Sequence, residues 1–261
     1  MAEVAAGPPR VRVEPVMGTV VTLDVRDPGL PKAAIDAAIA WFHEVDARFS
    51  TFRDDSEISR LGRAELDVGE CSTDVREVLG LCAEVERRSQ GSFDIRYGGR
   101  LDPSGLVKGW SAERAAEMLV AAGARDFFIG AGGDVLTRGR AAPGRCWRVG
   151  IRHAEDAVRM AAVLETGSLA VATSGAYERG QHILDPRTRR APDGVLSMTV
   201  AGPSLSYADA FATAAFVMGE EGLDWVAGID GYAALAITRD HRMVWTAGMD
   251  ALLAGPGRGP A

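Results

Sequence analysis

Apolar and polar residues alternate from Val11 to Val25, with β-branched side chains on both sides of a break at Met17-Gly18, and this pattern predicts a strand or hairpin. Pro31 opens a stretch in which Ile35, Ala38, Ile39, Phe42, Val45 and Phe49 recur at helical spacing. Ser50 to Arg63 is polar and reads as a loop. Asp74 to Arg88 predicts a second amphipathic helix, and Gly91 to Gly109 a glycine-rich connection. A third helix is expected from Ser111 to Ala122, stopped by Gly123.

The pattern then changes. Phe127–Ile129, Trp147–Arg152, Ala161–Thr166, Leu169–Thr173 and Leu196–Ala201 are short, apolar and separated by turn residues, as strands are. Ser206 to Met218 predicts a helix and Leu223 to Gly228 another. Tyr232–Thr238 and Met243–Thr246 read as a closing hairpin around Arg239-Asp240-His241. Strands joined by short turns in the second half favour an α+β fold, with largely antiparallel sheets flanked by helices, over a doubly wound one. The expected organisation is a flexible N-terminus (1–10), a single domain (11–254) and a disordered Gly/Pro-rich tail (255–261). Whether that domain divides into two α/β lobes around the site is left open.

Composition narrows the function classes. A chain of 261 residues can bury a full core. Its formal net charge of -7 argues against a general nucleic-acid binder, though not against an anionic small ligand held by a local site or a metal. Cys71, Cys82 and Cys146 are odd in number and lack metal-type spacing, so they read as reduced thiols. Met1 to Arg12 shows no signal-type apolar region, and no apolar run approaches a membrane span. A cytoplasmic location without membrane insertion is therefore expected. Among 29 basic residues only Lys32 and Lys108 are lysines, which draws attention to Lys108.

Four places could carry chemistry. Asp209 and Thr213 stand four apart in a predicted helix, where a carboxylate and a hydroxyl on one face can meet one hard cation such as magnesium. The competing reading is that Ser206 and Asp209 form a capping box. In Asp102-Pro-Ser-Gly105-Leu-Val-Lys108, Gly105 allows close backbone approach and Lys108 can meet a phosphate. The alternative is a plain loop capping the helix after it. Gly130-Ala-Gly-Gly133-Asp134 lacks the third glycine of a dinucleotide fingerprint and reads as a tight turn between strands. His182 lies in a polar cluster with Thr173-Ser174-Gly175 and can act as a general base or serve structure alone. His43, His153 and His241 read as surface residues.

The order of these segments is more specific than any one of them. Met17-Gly-Thr, Ser50-Thr-Phe with Ser56-Glu-Ile, Gly91-Ser-Phe-Asp94, Asp102-Pro-Ser-Gly-Leu-Val-Lys-Gly109 and Gly132-Gly-Asp134 follow one another. Ala172-Thr-Ser-Gly175, His182-Ile-Leu-Asp-Pro186 and Asp209-Ala-Phe-Ala-Thr213 complete the series. From about Met17 to Met218 the chain resembles the ApbE family, the FAD:protein FMN transferases.

That resemblance implies a T-fold-like architecture and a magnesium-dependent reaction. In it, FAD and a protein threonine or serine give FMN-protein and AMP. It implies metal ligands at Gly105 (backbone carbonyl), Asp209 and Thr213. FAD contacts are implied at Met17, Phe52, Ser92, Phe93, Asp94, Asp102, Lys108, Ser174, Ile183 and Ala212, and His182 is implied as the base. The chain departs from the pattern at Phe93-Asp94-Ile95, where proline usually follows the aspartate, and in the shortened stretch to Asp102. It departs again at Phe52, where tyrosine is common. The residues leave open magnesium-dependent hydrolysis of FAD to FMN and AMP, and a non-catalytic FAD-storage role.

Overall fold

The computed structural model describes residues 10–97, 100–153, 156, 158–175 and 183–255. His182 and the two predicted disordered termini, apart from Arg10 and Gly255, lie outside the described residues.

The opening alternation folds as a hairpin of β1 (Arg10–Val16) and β2 (Thr19–Val25). Its two-residue turn places Met17 at φ 58° and Gly18 at φ 64°, the left-handed pair that matches the twist of the flanking strands. The other strands are β3 (Arg96–Tyr97), β4 (Arg100–Leu101), β5 (Phe127–Ala131), β6 (Asp134–Arg138), β7 (Trp147–Arg152) and β8 (Met160–Thr166). They are followed by β9 (Leu169–Gly175), β10 (Val195–Gly202), β11 (Ala233–Thr238) and β12 (Met243–Trp245). Eight of them form one sheet in the order β1-β2-β5-β6-β9-β10-β11-β12, every neighbouring pair antiparallel. The expected α+β class is what the fold shows.

Six α-helices are described: α1 (Lys32–Phe49), α2 (Glu57–Gly62), α3 (Thr73–Arg88), α4 (Ser104–Ala121), α5 (Leu205–Met218) and α6 (Glu221–Ala227). The apolar stripe predicted for α1 is the face it buries. Helix α5 is buried along almost its whole length, lying on β9 and β10 with α4 against its other side. The sheet therefore has two cores, and alternate residues of β11 divide between them. Ala234 and Ala236 face the helices, whereas Ala233, Leu235 and Ile237 meet Val149, Ile151 and Leu164 of the β7–β8 hairpin.

Two sequence expectations give way. The supposed loop before Arg63 contains α2, capped by the Ser56 side chain, which accepts from the Ser59 amide. The glycine-rich connection ends at Pro103, because α4 begins at Ser104, a full two turns before Ser111. Gly105 and Gly109 lower helix propensity, but packing requires the second. A Cβ on Gly109 would press into the backbone of α5, standing 2.9 Å from the Ser206 nitrogen and closer still to the Leu205 carbonyl.

Candidate functional site

The Gly130–Asp134 segment is the tight turn expected, joining β5 to β6, with Gly132 and Gly133 both at positive φ. It presents Asp134, 1% exposed, towards the helix layer. Thr173 on β9 donates its amide to Asp134 Oδ1 at 3.1 Å, fixing the carboxylate. Its other oxygen takes the ammonium of Lys108, which sits on the second turn of α4. Lys108 Nζ is also 3.4 Å from Asp209 Oδ1 on α5. One cation thus ties together the sheet and both central helices.

Asp209 is the least satisfied member of this group. It is 5% exposed, and its Oδ2 has no hydrogen-bond partner among the described residues. Burial raises its proton affinity; Lys108 pulls it back down, and the neighbouring Asp134 charge pushes it up again. A buried carboxylate with one bare oxygen and only a shared cation calls for further positive charge.

The oxygens needed to hold such a charge are adjacent. Thr213, one turn along α5, has its Oγ1 3.2 Å from Ser174 Oγ. A Cβ on Gly105 would stand 3.6 Å from Thr213 Oγ1, so the first turn of α4 runs beside that hydroxyl. Hydroxyl, carboxylate and backbone carbonyl are hard donors, the type that magnesium takes alongside phosphate oxygens. The residues present fit the ion.

The rival capping-box reading of Asp209 falls away. Ser204 is the residue that caps α5, accepting from the Tyr207 amide, while the Ser206 hydroxyl donates to Glu113 of α4. Asp209 has no cap to make. The helix start expected near Ser111 to receive an anion is likewise displaced to Ser104, whose amide donates to Asp102 Oδ1 at 3.0 Å.

Gly105, Lys108, Ser174, Asp209 and Thr213 form the floor of a cleft of about 720 Å³, within the usual range for small-molecule sites. Its walls include Met17, Phe52, Ser92, Phe93, Asp94, Asp102, Gly105, Lys108, Ser174, Ile183, Asp209 and Thr213. Ala212 is different: it is fully buried in the helical core and does not line the cleft. Phe52 projects from the α1–α2 loop and is 91% exposed, a ring of the cleft wall left open to solvent. Ser92 and Phe93 are buried, Asp94 accepts the Arg96 amide at 2.7 Å, and both ends of the abbreviated segment, Asp94 and Asp102, line the cleft. Sequence reasoning treated Asp134 only as part of a turn. The available signal was an acid directly after two glycines between apolar runs.

The fold and cleft define an α+β protein with one acidic, cation-seeking ligand site at the junction of an antiparallel sheet and two helices. The model of the ApbE family matches residues 17–102 and 98–236, and the chain belongs to that family. A Vibrio cholerae protein named FAD:protein FMN transferase is 25% identical over 272 residues, covering 79% of this chain and 80% of that one. A Rhodobacter capsulatus protein of the same name is 38% identical over 165 residues, covering 59% of this chain but only 31% of its own length. Among solved structures, flavin transferase ApbE from Vibrio cholerae superposes with a TM-score of 0.83 at 23% identity, over 94% of this chain and all of that one. The apbe protein from Thermotoga maritima gives 0.85 at 20% identity, over 95% of this chain and all of that one. These likenesses establish the fold.

Proposed function

We propose that this chain transfers the FMN half of FAD to a threonine or serine hydroxyl of an acceptor protein and releases AMP. The observation that carries the reading is the bare Oδ2 of buried Asp209, set among Thr213, Gly105 and Lys108 on the floor of a nucleotide-sized cleft. Family membership and the names of the relatives support the substrate pair.

In this reading Gly105, Asp209 and Thr213 hold magnesium. When bound, the ion neutralises pyrophosphate charge and eases departure of the AMP phosphate. Lys108 supplies a second positive charge from α4. The acceptor oxygen forms a bond to the FMN-side phosphorus, and the bridging P–O bond breaks with its electrons passing to AMP. The hydroxyl proton goes to a base, the role proposed for His182 on the sequence resemblance. Met17, Phe52, Ser92, Phe93, Asp94, Asp102, Ser174 and Ile183 are proposed to shape the space for FAD. Ala212 would support that wall from behind.

Asp209→Ala should lower magnesium-dependent AMP release by about 100-fold or more, the scale on which loss of one charge-stabilising group is felt. FAD, magnesium and a threonine-containing peptide would be incubated, with AMP followed by chromatography and peptide mass by spectrometry. AMP without any flavin-labelled peptide assigns the site to hydrolysis. Native turnover by Asp209→Ala removes the metal assignment.

A further inference from the structure

Beside the cleft the chain makes a turn that the reaction itself does not require. Leu184 and Pro186 line the cleft, and the residues that follow project Arg187, Arg189 and Arg190 into solvent. The turn is closed twice by backbone: Arg189 N–H donates to the Asp185 carbonyl at 2.7 Å, and Asp185 N–H to the Arg190 carbonyl at 2.9 Å. The Asp185 carboxylate sits inside it, accepting from the Arg187 amide at 2.9 Å and from Arg187 Nε at 3.1 Å. Burial pulls the affinity of Asp185 for its proton up, but the bonds from Arg187 outweigh it and hold the carboxyl below its ordinary value.

Arg189 adopts φ 57°, a conformation that glycine takes easily and arginine does not. No carboxylate among the described residues is paired with Arg189 or Arg190. Within the turn, three guanidinium groups against the single carboxylate of Asp185 make this lip positive on a chain of net charge -7. The cleft wall also carries the carboxylates of Asp46, Asp94 and Asp102. The mouth therefore combines an exposed positive turn with carboxylates in the wall.

We infer that the Asp185–Arg190 turn is a docking surface for an acidic segment of the acceptor protein, lying beside the hydroxyl that receives the flavin. This rests on the transfer reading. The pyrophosphate already has Lys108 and the cation site deep in the cleft, whereas these arginines stand exposed outside it. A flanking carboxylate on an acceptor would be drawn to this lip and away from the carboxylates of the cleft wall, which orients the segment at the mouth.

The test uses two synthetic threonine peptides of equal length, one with four Asp flanking the threonine and one with Asn in their place. At low salt the wild-type protein should label the Asp peptide with a kcat/KM at least about tenfold higher, the advantage shrinking as salt screens the pairs. R189G/R190S, in which glycine suits the φ of residue 189, should lose that advantage while keeping its KM for FAD and its rate with the Asn peptide. Equal use of both peptides by the wild type overturns the proposal, as does a variant whose defect lies in KM for FAD. If AMP is released but neither peptide is labelled, the transfer reading fails. The docking surface then stands or falls on fluorescence anisotropy of the same peptides with FAD and magnesium present. A wild-type preference for Asp that R189G/R190S abolishes sustains it, and no preference removes it.

Discussion

At the scale of single residues, the cleft floor turns on one ammonium in an arginine-rich chain. Lys108 serves two buried carboxylates, Asp134 and Asp209, from a helix whose neighbours leave little room. A Cβ on Gly132 would stand 3.4 Å from Lys108 Cδ, so the β5–β6 turn runs alongside the lysine stem with little space between them. A guanidinium keeps the charge but is a broad planar fork rather than a point. Lys108→Arg should therefore lower kcat/KM for FAD by about tenfold or more, the cost of misplacing a charge-stabilising group. Steady-state AMP release would measure it, and near-native kinetics would show that charge alone suffices. Much of this residue scale was legible: Asp209, Thr213, Gly105 and Lys108 stand together as their order in the chain suggested. Asp134 was not, because its partners lie 26 and 39 residues away and only pairing of β6 with β9 brings Thr173 to it.

Among elements, the decisive contact is α4 against α5, since the first carries Gly105 and Lys108 and the second Asp209 and Thr213. Gly109 lets the two backbones touch at Leu205 and Ser206. One turn further along α4, Glu113 Oε1 accepts the Leu205 amide at 2.7 Å and Oε2 takes the Ser206 hydroxyl, completing the start of α5. The pair fixes how far α4 can slide along α5, and with it the spacing of the cation donors. Gly109→Ala has no flexible side chain to displace, only backbone, so it should cost about 1–3 kcal/mol as overpacking does. Urea titration would read that loss, and a variant of native stability would mean that the helices separate cheaply. This contact also explains why the start of α4 was invisible in the sequence. Two glycines in five residues read as loop by propensity, and the close approach that demands Gly109 is to Leu205 and Ser206, far along the chain in the partner helix.

For the whole molecule, the antiparallel sheet was the most legible feature, because each strand alternates or runs apolar between turn residues; β6 escaped only by following its glycine turn directly. The helix layer on one face of that sheet has a consequence for alkaline stability. Cys82 of α3 is 1% exposed, and burial, with the charges of Glu86 and Asp209 adding to it, pushes its thiol from 9.0 up to about 12. Burial also raises Tyr207 and Tyr232 from 10.0 to about 12, with Glu84 accepting from the Tyr207 hydroxyl. All three are neutral when protonated, so the unfolded chain ionises first and binds fewer protons than the native one. Stability is then fully present below about pH 9 and declines as pH rises towards about 12. Melting temperatures measured from pH 7 to 10.5 should fall across the upper part of that range. Cys82→Ala should start lower at pH 7, having lost a packed sulfur, yet decline less steeply above pH 9. An identical slope would show that the thiol does not ionise preferentially on unfolding. Cys146, exposed where Cys71 and Cys82 are buried, should be the one thiol that iodoacetamide labels at pH 8 in the native protein. Labelling of Cys82 at a comparable rate would mean that the helix layer opens far more often than its packing implies.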